Sequence, residues 1–133
     1  IGPMPGFRIG GTDADAPEQW SSIDIPGEVR LASNAGMLPH VVIIWIVEAN
    51  NRLYVIGDPA SAWVEGATNA PDVRLRMGDN TYDMRATRLQ PGPEEIFRKY
   101  IDRYKDDYPE IIDSFPPPEE FATGAALFEL TRR

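Results

Sequence analysis

His40-Val41-Val42-Ile43-Ile44-Trp45-Ile46-Val47-Glu48, followed across Ala49-Asn50-Asn51 by Arg52-Leu53-Tyr54-Val55-Ile56, is the stretch whose reading decides the fold. Four β-branched residues in a row, then Trp45, Ile46 and Val47 without a polar interruption, predict a strand over 40–48 that is covered on both faces. Asn tolerates positive φ, so Asn50-Asn51 predicts a tight hairpin turn, and Arg52–Ile56 predicts the antiparallel partner strand.

Working outward, Gly57-Asp58-Pro59 ends the second strand, and Ser61 is placed to cap a short helix to about Gly66, with Trp63 and Val64 on its apolar side. Asn69-Ala70-Pro71 stops that helix. Asp72–Met77 sets Val73, Leu75 and Met77 against Arg74 and Arg76, and Thr81–Leu89 sets Tyr82, Met84, Ala86 and Arg88 against Thr81, Asp83, Arg85 and Thr87. Both patterns have the period of a strand, and the turn at Gly78-Asp79-Asn80 makes them a second hairpin. Pro93, Glu94 and Glu95 suit a helix start, and Ile96, Phe97, Tyr100, Ile101 and Tyr104 follow at helical spacing until the chain breaks before Pro109. Glu110–Ser114 reads as a further short turn, Pro116-Pro117-Pro118 as a stiff exposed link, and Ala125–Thr131 as a closing strand.

Upstream, Glu28–Ala32 alternates like a short strand and Asn34–Pro39 reads as a loop. Residues 1–26 hold too many Gly and Pro for a helix or central strand, so they predict an extended arm that Trp20 pins to the body, leaving 27–133 as the domain proper. Six strands with one good helix are best buried by closure. The expectation is a mainly β, α+β fold: a small antiparallel barrel with one or two flanking helices.

The 133 residues fit one domain, and 42% hydrophobic with 26% charged residues is ordinary globular composition. A net charge of -8 argues against a surface that tracks nucleic-acid phosphates. The absence of Cys removes disulfides, thiolate metal sites and thiol nucleophiles. No P-loop, dinucleotide glycine fingerprint, nucleophile elbow or His-Glu-x-x-His helix occurs. Asp106, Asp107 and Glu110 lack calcium-loop spacing, so no metal is expected. The sequence begins at Ile1, and the expectation is an upstream hydrophobic anchor or cleaved signal that tethers the domain outside the cytoplasm; without one it is cytoplasmic by default.

The element order and the segment LYVIGDPASAWVEGATNAPDVRLRMGDNTYDMRATRL, Leu53 to Leu89, resemble the split-barrel superfamily of pyridoxamine-phosphate-oxidase-like and deazaflavin-dependent nitroreductase-like proteins. The similarity centres on Asn69-Ala70-Pro71-Asp72-Val73-Arg74-Leu75, and GPMPG at 2–6 is similar to a stretch that follows an N-terminal membrane helix in one branch. The resemblance implies a split β-barrel, a side-by-side homodimer, and FMN or a deazaflavin across the dimer cleft with hydroxyl and cationic side chains on its phosphate. In this chain the helix that supplies such a Ser and cation reads Ser61-Ala62-Trp63-Val64-Glu65, with Glu65 where charge-assisted donors are needed. The strand before it places Val41, Ile43 and Ile44 at inward positions.

The cofactor-binding candidates are therefore Ser61, Trp63, Arg74, Arg76 and Arg88, with the guanidinium groups replacing the helix cation and Trp63 stacking on the isoalloxazine. Each has a plainer reading: the arginines as cross-strand ion pairs with Asp72, Asp83 or Glu129, and Trp63 as core. His40, the only histidine, reads as a strand-entry hydrogen-bonding residue ahead of any acid–base role. No catalytic residue is assigned. Two functions from different classes remain: a flavin- or deazaflavin-binding oxidoreductase of uncharacterised substrate, and a non-catalytic split-barrel dimer that has lost its cofactor and serves as a ligand-binding or interaction module.

Overall fold

The computed structural model describes residues 9–35 and 38–133. Its strands are β1 (Thr12–Asp13), β2 (Val29–Ala35), β3 (Leu38–Ile44), β4 (Val47–Ala49), β5 (Arg52–Gly57), β6 (Asp72–Met77), β7 (Asn80–Leu89) and β8 (Ala126–Arg132). They form one sheet in the order β3-β2-β6-β7-β8-β5-β4, with β1 added in parallel to the start of β7 and every other pairing antiparallel. The two ends of this path, β3 and β4, are consecutive in the chain and separated only by Trp45-Ile46. A flat sheet cannot satisfy that link, so the sheet curls into the half-barrel expected from the sequence.

That link is also where the expected 40–48 strand divides. Tyr104, 58 residues away in sequence, puts its hydroxyl between the two halves: it accepts the Ile46 N–H at 2.9 Å and lies 2.8 Å from both the Ile46 and Gly27 carbonyls, to one of which its single proton is donated at a time. A side chain thus satisfies the backbone of Ile46 where a neighbouring strand otherwise would. Asn50 and Asn51 make the predicted turn with φ of 54° and 63°. In the expected 34–39 loop, β2 instead runs to Ala35 and β3 starts at Leu38; residues 36–37 lie outside the described residues.

Inside the curl, Val29, Leu31, Val42, Ile44, Leu53, Val55, Val73, Leu75, Met84, Ala86 and Phe128 pack together with Trp63 and Val64. Val42 and Ile44 face inward rather than Val41 and Ile43, because the β2–β3 register pairs Val42 with Leu31 and Ile44 with Val29; Val41 packs outside with Ile9 and Ala32. A second apolar cluster covers the outside of β4, β5 and β8, where Tyr54, Ile56 and Leu127 meet Phe97, Tyr100 and Tyr104.

The helices are α1 (Ala62–Asn69), α2 (Glu94–Tyr104), α3 (Pro109–Asp113) and α4 (Pro118–Gly124), so four stand where one or two were expected. The proline run is not merely a link: Pro118 occupies the first turn of α4, where its missing N–H leaves no hydrogen bond unmade. From Ile9 the chain runs along the sheet through β1 and a short 3-10 turn at Trp20–Ser22, and Phe7 and the 2–6 stretch lie outside the described residues. Trp20, in that turn, is buried edge-on against Tyr82 at 5.2 Å, and its backbone N–H donates to Asn51 Oδ1.

Candidate functional site

Strand parity sorts the arginine candidates. Val73, Leu75 and Met77 of β6 enter the barrel core, so Arg74 and Arg76 point out of it; Tyr82, Met84 and Ala86 of β7 enter the core, so Arg88 shares their inward side. The structure therefore does not bring Arg74, Arg76 and Arg88 into one cleft.

On the outer side the two arginines hold the arm. Arg74 pairs with Asp13 and, at 3.1 Å, with Asp83, and the hydrogen bond it donates to Asp13 is the main reason its guanidinium binds its proton still more tightly than usual. Arg76 donates to the Gly78 carbonyl at 2.9 Å and to the Ile9 carbonyl at 3.0 Å. Thr81 Oγ1 donates to the Gly10 carbonyl at 2.6 Å, and the backbone N–H groups of Thr12 and Ala14 donate to Asp79 and Thr81. The arm occupies the place an anion would take.

On the inner side Trp63 belongs to the core. Its ring lies 5.6 Å from that of Phe128 and covers Gly57, where any Cβ would overlap the indole. Ser61 precedes α1 and donates its hydroxyl to the Asp58 carbonyl at 2.7 Å. Arg88 stands across the strands from Phe128, and its Nε is fully buried with no hydrogen-bond partner among the described residues. A guanidinium N–H in that state has a strong need for an acceptor. Arg88 fits an anionic oxygen; Arg74 and Arg76, already paired, do not.

Sequence reasoning missed a third place. Where β5 ends at Ile56-Gly57 and turns through Asp58-Pro59, the α2 and α4 side of the molecule leaves a cavity of about 440 Å³, walled by Tyr100, Phe115, Pro116, Glu120, Phe121 and Ala125. Burial pushes the Tyr100 phenol well above its ordinary range, with Tyr104 close by adding to the effect. The helical spacing of Tyr100 was visible in the sequence, but Phe115 and Phe121 reach it only because α4 folds back, and the proline run conceals α4.

Among the described residues no helix is long and apolar enough to cross a membrane, and no three His, Asp or Glu side chains group as a metal site requires.

No known protein family and no curated protein matches the chain. Solved structures do. The haem storage protein HutZ from Vibrio cholerae superposes with a TM-score of 0.59 at 17% identity, over 80% of this chain and 82% of that one. A structure described as an F420 reductase gives 0.59 at 16% identity, over 89% and 95% of the two chains. A FAD-binding protein from Mesorhizobium loti gives 0.54 at 17% identity, over 81% and 80%. Identities this low speak for architecture and not for activity. With its curled sheet, its closing strand β8 and its covering helices, the chain has the split-barrel fold of the pyridoxamine-phosphate-oxidase-like proteins.

Proposed function

We propose that the protein binds a flavin or deazaflavin cofactor, that Arg88 meets the anionic end of that cofactor, and that the complex works as an oxidoreductase. The observation that carries this reading is the buried, unpartnered Nε of Arg88 on the inward side of β7. An acceptor oxygen arriving there makes a charge-assisted hydrogen bond with a donor that has no other partner among the described residues. The fold supports the class, since similar structures include an F420 reductase and a FAD-binding protein. A bound flavin or deazaflavin supplies two-electron transfer; the chain's own part is to hold and orient it. In this reading a second copy of the chain covers the cofactor along the barrel side, and sedimentation checks that step: a species at twice the 14.8 kDa protomer mass supports it and a protomer alone refutes it.

The experiment is titration of purified protein with FMN, FAD and a deazaflavin, followed by cofactor absorbance and tryptophan quenching, with haemin as a further arm. Saturable binding of one flavin-type ligand is expected. If none binds up to millimolar concentration, the reading fails.

The cofactor-free reading then takes its place, and one observation favours it: Glu65 is exposed in the first turn of α1, where the resemblance calls for a cation. Tethering through a segment upstream of Ile1 is a separate proposal, tested by mapping the start codon of the gene.

A further inference from the structure

The cavity beyond the end of β5 carries a chemistry of its own. Among the described residues its charged lining groups are Asp58 and Glu120, with no Lys or Arg in its wall. Its apolar wall is largely aromatic: Phe115 and Phe121 lie 4.9 Å apart between ring centres, and Tyr100 lies 6.3 Å from Phe121. Tyr100 is more than nine-tenths buried, with its ring on the cavity wall. Ring faces carry negative electrostatic potential, and the exposed carboxylates of Asp58 and Glu120 add negative charge at the same cavity.

We infer that this cavity is a binding site for a small organic cation, an alkyl- or arylammonium, held by the rings of Tyr100, Phe115 and Phe121 with Glu120 and Asp58 as counter-charge. A volume of about 440 Å³ falls in the range of small-molecule pockets. The net charge of -8 draws cations toward the molecule and repels anions. The same two carboxylates make the cavity a poor place for a flavin phosphate, so the inference stands apart from the Arg88 site and survives or fails without it.

Choline and benzyltrimethylammonium serve as probes, with 3,3-dimethylbutan-1-ol as the uncharged carbon isostere of choline, in calorimetric or NMR titrations of the whole chain. The cations are expected to bind saturably, about tenfold more tightly than the alcohol, and less tightly as salt rises. Glu120→Gln, at an exposed position, is expected to weaken the cations severalfold and leave the alcohol unchanged. Phe121→Ala, which removes a ring from the cavity wall, is expected to weaken the cations at least tenfold. Equal affinity for choline and its isostere overturns the inference, as does no cation binding at millimolar concentration, or cation binding that neither substitution alters.

Discussion

Two outer faces of the same curled sheet are covered in opposite ways. Over β6 and β7 lies the arm, held by Arg74 to Asp13, by Arg76 to the Ile9 carbonyl, by Thr81 to the Gly10 carbonyl and, further along, by Arg132 to the Pro17 carbonyl. Over β4, β5 and β8 lie α2 and α4, held by aromatic contact: Trp45 stacks on Tyr104 at 4.3 Å with the planes 11° apart, and Phe97 meets Phe121 at 4.9 Å. Exposed ion pairs return little net free energy because water and salt compete for both partners, whereas buried rings return the full benefit of leaving water. The polar face therefore orders the arm and neutralises its arginines, and the aromatic face holds the barrel closed.

Substitutions that unbalance the two faces should rank accordingly in urea unfolding. Phe97→Ala, at a fully buried ring on the aromatic face, is expected to cost about 3–5 kcal/mol. Tyr104→Phe keeps the ring but strands the buried Ile46 N–H, and is expected to cost about 1–3 kcal/mol. Asp13→Ala on the polar face is expected to cost no more than about 1 kcal/mol, shrinking further at high salt. An arm substitution as costly as the ring substitution would break the comparison.

A smaller effect sharpens it. Burial raises the Tyr100 phenol above its usual 10.0, so the unfolded chain ionises there first. The contribution is whole below pH 10.0 and is lost as pH rises through the folded-state value. Tyr100→Phe should therefore flatten the fall in unfolding midpoint as pH rises above 10.0. An unchanged slope would show that Tyr100 is not shielded by α4.

The polar face was legible in the sequence and the aromatic face only half so. Alternation in 72–77 and 81–89 already set Arg74 and Arg76 opposite Val73 and Leu75, and put Arg88 with Tyr82, Met84 and Ala86. The same parity separates the arginines, because consecutive antiparallel strands with these registers send them to opposite sides of one wall. The Asn50-Asn51 turn and α2 were equally plain, being fixed by local conformational preference and by 3.6-residue spacing. The break at Trp45-Ile46 was not, because nothing in that run disfavours a strand; it depends on a hydroxyl from α2 that only the tertiary fold delivers. Trp63 could be read as core or as a stacking ring, and Gly57 decides for the core by giving the indole room.

The central claim is that the inward Arg88, and not the arm-bound Arg74, is the cation for a flavin-type ligand. The direct measurement is cofactor affinity in Arg88→Met beside Arg74→Met, each checked for an intact fold by circular dichroism. Loss of a charge-assisted hydrogen bond worth ~1.5–3 kcal/mol predicts about a 10- to 100-fold weaker complex for Arg88→Met and an unchanged one for Arg74→Met. Equal affinity in Arg88→Met and the native chain, or loss in Arg74→Met alone, would contradict the account.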